Sequence, residues 1–192
     1  NVLKRNDLRN VKYIYIYIYI MHPLIYNLAV NAPNIINIAC LFSGTVFKNP
    51  VALYFLIVSF IDHIINPVIK KIARQGRPKG AMNCSSYINC SNKLSKSYGM
   101  PSGHSQSMGV FIGFWLSYMW DKHKGQSLST LNLIGALCIL ITGLFVLYSR
   151  VVVGCHTVPQ VVVGFSIGIS IGVSAFKLYE SKFKDKFETL VN

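Results

Sequence analysis

Five apolar stretches of roughly twenty residues, at about 30–47, 51–70, 101–120, 131–149 and 156–177, dominate this chain. Each approaches the ~20 residues that a helix needs to cross a bilayer. A backbone in lipid must satisfy its own N–H and C=O groups, and a helix does so within a single segment. The expected fold is therefore all-α, an integral membrane helix bundle of five to six transmembrane helices. Composition agrees, since 13% of residues are charged and 52% hydrophobic, whereas soluble domains carry about 25% charged residues. The count is six if 12–29 also spans and five if it does not. Pro33, Asn34 and Asn37 interrupt the apolar character of 30–47, so the N-terminal hairpin is where the count is least defined.

The net charge of +13, from 19 basic and 6 acidic residues, first raises nucleic acid as a partner. The lysines fall at segment ends, as membrane flanks do, and no basic and aromatic surface can be traced. Nucleic acid is set aside, and membrane lipids are the expected surroundings. With six spans the N-terminus, the Lys48 turn, the 121–130 loop and the tail from Lys177 share the positive, cytoplasmic side. With five, the N-terminus crosses over. Either way the 71–100 loop and the 149–156 turn share the opposite face. No small-residue cleavage site follows the first apolar stretch, which is expected to act as an uncleaved anchor. The Tyr-Ile alternation at 13–20 mimics a strand but is read as the trace of an AT-rich tract.

Three polar cassettes lie against these apolar runs, all on that opposite face. Lys70 and Arg77-Pro78 come first; seven residues is two helical turns, so a continuing helix would put both cations on one face until Pro78 ends it. Paired cations need an anion between them, and phosphate suits; alone, they equally suit a membrane boundary. Pro101-Ser102-Gly103-His104 opens the next apolar segment, where helix-start N–H groups and the Ser102 hydroxyl can cradle an anion and Gly103 admits close approach. The plainer reading is an N-cap with an interfacial imidazole. Ser149-Arg150 and His156 form the third cassette. Arg150 can clamp phosphate oxygens, His156 can attack phosphorus, His104 can protonate the departing oxygen, and Gln160, one turn on, can hold the His156 ring. Each cassette has a bland explanation; three in this order on one face point to phosphoryl transfer.

The remaining polar residues carry less. His22, His63 and His123 have no such surroundings, and Asp62-His63, inside a span without a nameable partner, is read as structural. Cys40, Cys138 and Cys155 are read as packing residues. Cys84 and Cys90 share a polar loop and can pair in an oxidising lumen, and Asn83 and Asn89 open Asn-Cys-Ser triplets that match the glycosylation pattern. Gly164, Gly168 and Gly172 define a helix face for close packing within the bundle, with a homo-oligomer left open.

Taken together, Lys70-x6-Arg77-Pro78, Pro101-Ser102-Gly103-His104 and Ser149-Arg150-x5-His156 resemble the tripartite signature of the type 2 phosphatidic acid phosphatase (PAP2) superfamily. The likeness covers about 50–178. It implies a haloperoxidase-like helix bundle that hydrolyses lipid phosphate esters with no metal and no cofactor. Soluble haloperoxidases share the cluster, but the long spans argue against them. By that likeness Lys70, Arg77, Ser102, Gly103 and Arg150 bind phosphate, His104 is the acid and His156 the nucleophile of a phosphohistidine intermediate. Gln160 stands where the superfamily usually has aspartate. The stretches Tyr98 to Gln106 and His156 to Val161 are similar to the dolichyl-diphosphatase branch, where glutamine is normal. That branch implies hydrolysis of a polyprenyl diphosphate at the lumenal face of the endoplasmic reticulum. The alternatives are a broad lipid phosphate phosphatase, acting on phosphatidic or lysophosphatidic acid, and a catalytically silent lipid-phosphate-binding protein. The expected organisation is a basic N-terminus and membrane hairpin over 1–49, a catalytic core over 50–178 and a basic cytoplasmic tail over 179–192.

Overall fold

A computed structural model describes residues 23–79, 81–83, 91–94, 97–125 and 129–191. Five long helices form the bundle: α1 (Pro23–Val46), α2 (Pro50–Ala73), α3 (Gly103–Lys122), α4 (Thr130–Val152) and α5 (Val158–Leu178). A π-helical turn, Tyr179–Phe183, and a short helix α6 (Lys184–Val191) follow. A two-stranded antiparallel ribbon, β1 (Met82–Asn83) and β2 (Ser91–Leu94), lies in the loop between α2 and α3.

Residues Asn27–Val46, Pro50–Ala73, Thr130–Val152 and Val158–Val191 are long and apolar enough to cross a membrane. The fifth helix, α3, is more polar because its first turns carry His104, Ser105, Gln106 and Ser107. It occupies the centre, packed against α1, α2, α4 and α5, with Met108, Val110 and Phe114 fully buried. A helix shielded from lipid by its neighbours has no need of an apolar surface. The chain is thus an integral membrane protein, with four helices long and apolar enough to span and α3 enclosed among them. Helix α1 runs unbroken from Pro23 through Pro33 to Val46, and residues 12–22 of the candidate span over 12–29 lie outside the described residues. The Tyr-Ile repeat lies outside the described residues.

Local chemistry sets the helix ends. The Asn49 side chain accepts from the N–H groups of Val51 and Ala52 at 3.1 and 3.2 Å, and Pro50 occupies the first turn of α2. Here the N-cap amide and the donor-free proline satisfy a helix start that lipid cannot. The small-residue face of α5 packs on α3: a Cβ at Gly164 would sit 2.6 Å from the Ser102 carbonyl oxygen, and one at Gly168 would strike that of Gln106. The glycine stripe therefore serves contact inside the bundle. The tail continues as helix, with Phe183 and Phe187 packed on Tyr54 at 5.6 and 5.3 Å between ring centroids.

Candidate active site

The three cassettes converge at one end of the bundle. A cavity of about 540 Å³ is lined there by Lys70, Arg77, Gly103, His104, Arg150 and His156, together with residues of α1. Two guanidinium groups, an ammonium and the imidazoles of His104 and His156 thus face one space. Cations gathered this way favour an anion between them.

The arrangement differs from a helix carrying both Lys70 and Arg77. The α2 helix stops at Ala73, where Arg74 turns left-handed at φ 47° and its N–H closes on the Lys70 carbonyl at 3.0 Å. Arg77 reaches the cavity from an irregular segment tied to the second cassette by Gly99 N–H donating to the Gln75 carbonyl at 2.7 Å. Its guanidinium is held by Ser97, with Nε on the carbonyl at 3.3 Å and Nη2 on Oγ at 3.0 Å. Nη1 donates to the Cys155 carbonyl at 3.3 Å and approaches His156 Nε2 at 3.4 Å.

His156 is delivered by a turn after α4. Gly154, at φ 72°, reverses the chain, and the N–H groups of Cys155 and His156 both donate to the Arg150 carbonyl at 3.2 Å. A side chain at position 154 would be strained in that left-handed conformation. The spacing from Arg150 to His156 is therefore one closed turn, with the arginine backbone holding the histidine. Arg150 itself is 1% exposed, and its Nε donates to Ser149 Oγ at 3.1 Å.

Gln160 underlies His156. Its Oε1 accepts from His156 Nδ1 at 3.2 Å and from Thr157 N–H at 3.3 Å. Its Nε2 donates to the Gly76 carbonyl at 2.8 Å and to Gln75 Oε1 at 3.1 Å. Because a carbonyl oxygen only accepts, Nδ1 must carry the proton, and Nε2 is an acceptor on the cavity side with the Arg77 Nη1 donor 3.4 Å away. Burial and then the Arg77 charge push the His156 pKa down to about 4. The imidazole is neutral at pH 7 as a result. Burial likewise lowers the Arg77 pKa.

On α3, His104 Nε2 donates to the Val30 carbonyl of α1 at 3.0 Å, which leaves Nδ1 for proton exchange. Gly103 lines the cavity, and a Cβ there would lie 3.2 Å from Asn66 Oδ1. Ser102 does not face the cavity. It is fully buried behind the wall, with its N–H on the Gln160 carbonyl at 3.0 Å and its Oγ accepting from Ser105 Oγ at 2.9 Å.

Several participants have no counterpart among the expected site residues. Asp62, read as structural without a partner, is buried at the cavity wall, where Oδ1 accepts from Gln106 Nε2 at 2.7 Å and Oδ2 from Ser107 Oγ at 3.0 Å. Gln106 in turn accepts from Asn66 Nδ2 at 2.9 Å. A lone carboxylate inside an apolar segment was the available signal. Cys155, expected as a packing residue, is disulfide-bonded, since the helix ends at Val152 and leaves it in the turn. Cys40 and Cys138 are free, whereas Cys84 and Cys90 lie outside the described residues.

Comparison with known proteins places this geometry. The family model described as the PAP2 superfamily matches residues 51–184. A Saccharomyces cerevisiae protein named dolichyldiphosphatase is 36% identical over 115 residues, covering 58% of this chain and 45% of that protein. Lipid phosphate phosphatase gamma of Arabidopsis thaliana is 33% identical over 134 residues, covering 67% of this chain and 54% of that protein. The chain spans about half the length of these curated relatives. The crystal structure of a transmembrane PAP2 type phosphatidylglycerolphosphate phosphatase from Bacillus subtilis shares the fold, with a TM-score of 0.57 at 24% identity over 95% of this chain and 90% of that one. The matched region contains every cassette and, but for Pro50, four of the five long helices, and the chain belongs to the PAP2 superfamily.

Proposed function

We propose that this protein is a lipid phosphatase that hydrolyses a polyprenyl diphosphate of the dolichyl type to the monophosphate through a phosphohistidine at His156. The observation that carries the reading is the neutral His156, its Nδ1–H bound by Gln160 and its Nε2 lone pair facing a cavity lined by Lys70, Arg77 and Arg150. In the proposed reaction Nε2 forms a bond to the terminal phosphorus as the bond to the bridging oxygen breaks. His104, as the imidazolium beside the anionic substrate with Nε2–H kept on Val30, gives that oxygen its Nδ1 proton. Water, deprotonated by His104 Nδ1, then attacks phosphorus, which releases inorganic phosphate and restores both side chains to their starting forms. Lys70, Arg77 and Arg150 offset charge on the transferring group, usually the largest contribution in such chemistry. Ser102, at the start of α3, acts from behind the cavity wall.

The dolichyl preference draws on Gln160. Its Nε2 donates to two acceptors, Gly76 and Gln75, where a carboxylate would meet oxygens only. An amide is thus at home beside this histidine, as expected from the resemblance to the dolichyl-diphosphatase branch and in keeping with the yeast relative's name. The Arabidopsis relative favours a second reading, a broader lipid phosphate phosphatase. A silent binding protein accords less well with a nucleophilic nitrogen held unprotonated.

The cavity end is taken to face the lumen of the endoplasmic reticulum. The Lys48 turn and the basic loop at Lys122 and Lys124 lie at the opposite end, as cytoplasmic ends do. The Cys155 disulfide also suits an oxidising compartment.

Phosphate release from dolichyl diphosphate by the detergent-purified protein in EDTA, beside His156→Ala, tests the reading. Release by the wild type alone is expected. Release from phosphatidic acid with dolichyl diphosphate untouched would move the assignment to the second reading. No release from either would leave the silent one.

A further inference from the structure

The cavity continues past the cationic cluster, between α1 and α2 and away from the site face. Its deeper wall carries Asn34 and Asn37 of α1 and Ser59 and His63 of α2. Asn34 and Asn37 follow Val30, the residue that holds His104, by four and seven positions. At 1.5 Å per residue they lie about 6 and 10 Å deeper. His63 precedes Lys70 by seven positions on the antiparallel α2 and reaches about the same depth. Polar side chains at membrane depth are costly unless they face water or a polar occupant. The family match begins at residue 51, so α1 lies outside it and its asparagines inherit no role from that match.

We propose that Asn34 and Asn37, with His63, form a subsite for a second phosphate, the one that stays on the lipid when the terminal phosphate passes to His156. This rests on the polyprenyl diphosphate reading and deepens it. A monophosphate ester would place hydrocarbon just beyond the scissile oxygen, burying these amides without partners. A diphosphate places oxygens there, which accept from amide and imidazole N–H groups. The terminal phosphate then lies among Lys70, Arg77 and Arg150, the bridging oxygen toward His104, and the second phosphate beneath, with the hydrocarbon tail continuing into lipid. As the His156 Nε2–P bond forms and the bridging P–O bond breaks, the electron pair goes to the lipid monophosphate, whose bridging oxygen takes the His104 proton. Donors at Asn34 and Asn37 stabilise the charge that develops on this leaving group. Asp62 shares the wall, yet both its oxygens are engaged by Gln106 and Ser107 of α3.

Isothermal titration of the detergent-purified chain with methylenediphosphonate, which cannot be hydrolysed, and with orthophosphate separates the two halves of the site without turnover. Asn34 is exposed and Asn37 half-buried, so Asn34→Leu and Asn37→Leu leave the packed interior of the bundle in place. Each variant is expected to weaken methylenediphosphonate binding by about tenfold or more, as loss of a hydrogen bond to a charged group does, while orthophosphate binding stays unchanged. Equal effects on both ligands, or none on either, overturn the subsite. Wild-type turnover of dolichyl diphosphate keeps the failures apart. Turnover without the differential loses the subsite and retains the substrate. The differential without turnover upholds a second-phosphate site and overturns dolichyl diphosphate as its lipid.

Discussion

At the site end of the bundle the buried groups are polar and joined by directed bonds, whereas at the far end they are aromatic rings in one continuous cluster. His156, Gln160, Gln106, Asp62 and Asn66 are each buried and each has a named partner. Around Phe114, by contrast, Tyr54, Phe55, Trp115 and Phe176 stack, tilt or meet edge to face at 5.3–6.2 Å between ring centroids. Lipid tails are as apolar as these rings, so close packing rather than exclusion from water holds that end together. Packing tolerates small shifts, but a hydrogen bond aimed at one ring nitrogen does not. The aromatic end supplies cohesion, while the site end gathers three cations around one cavity whose Asp62 carboxylate is engaged by Gln106 and Ser107.

The sharpest way to break this division is His156→Ala. Turnover of whichever phosphate substrate the wild type accepts should fall by roughly 10⁴-fold or more, while the melting temperature in detergent moves little. A large loss of stability would mean that the site end also holds the bundle together. Phe114→Ala is the reciprocal test. Phe114 is fully buried, and its removal should cost about 3 kcal/mol of stability. The surviving folded fraction should keep the wild-type kcat at low temperature; a reduced kcat there would mean that the aromatic end shapes the chemistry.

The two ends also differ in how plainly the sequence announced them. Lys70, Arg77, His104, Arg150 and His156 stood out because they recur in three ordered polar cassettes at the ends of apolar spans, and the helix bundle brings all five to one cavity. The path of Arg77 was not legible. A helix end at Arg74 relies on a left-handed arginine, which has no sequence signature as glycine would. Nor was the support around the histidines. The Val30 and Gly76 carbonyls are backbone groups that any residue supplies, so only the tertiary arrangement shows that they hold His104 and Gln160. Asp62 was visible as a charge in a span, but its partners Gln106 and Ser107 lie more than forty residues on and required the packing of α3 against α2.

The finest comparison is within the site itself, between an orienting amide and a carboxylate. In the wild type His156 is neutral above about pH 4. The acid limb of kcat/KM, which reports the free enzyme, should therefore fall near pH 4, well below the 6.5 of an ordinary imidazole, with activity lost as pH drops through that value and the proposed nucleophile takes a proton. Gln160→Glu keeps an acceptor for Nδ1–H but sets a negative charge beside the ring, which favours the imidazolium and moves the limb upward. It also removes the N–H groups that now reach Gly76 and Gln75, leaving oxygen against oxygen. The expected result at pH 7 is a loss of roughly tenfold in kcat, about the worth of one hydrogen bond, with the acid limb raised. An unchanged limb would mean that Gln160 does not govern the protonation of His156. A limb raised with kcat intact would mean that the ring needs only an acceptor at Nδ1, and that the anchor to Gly76 and Gln75 serves folding rather than chemistry.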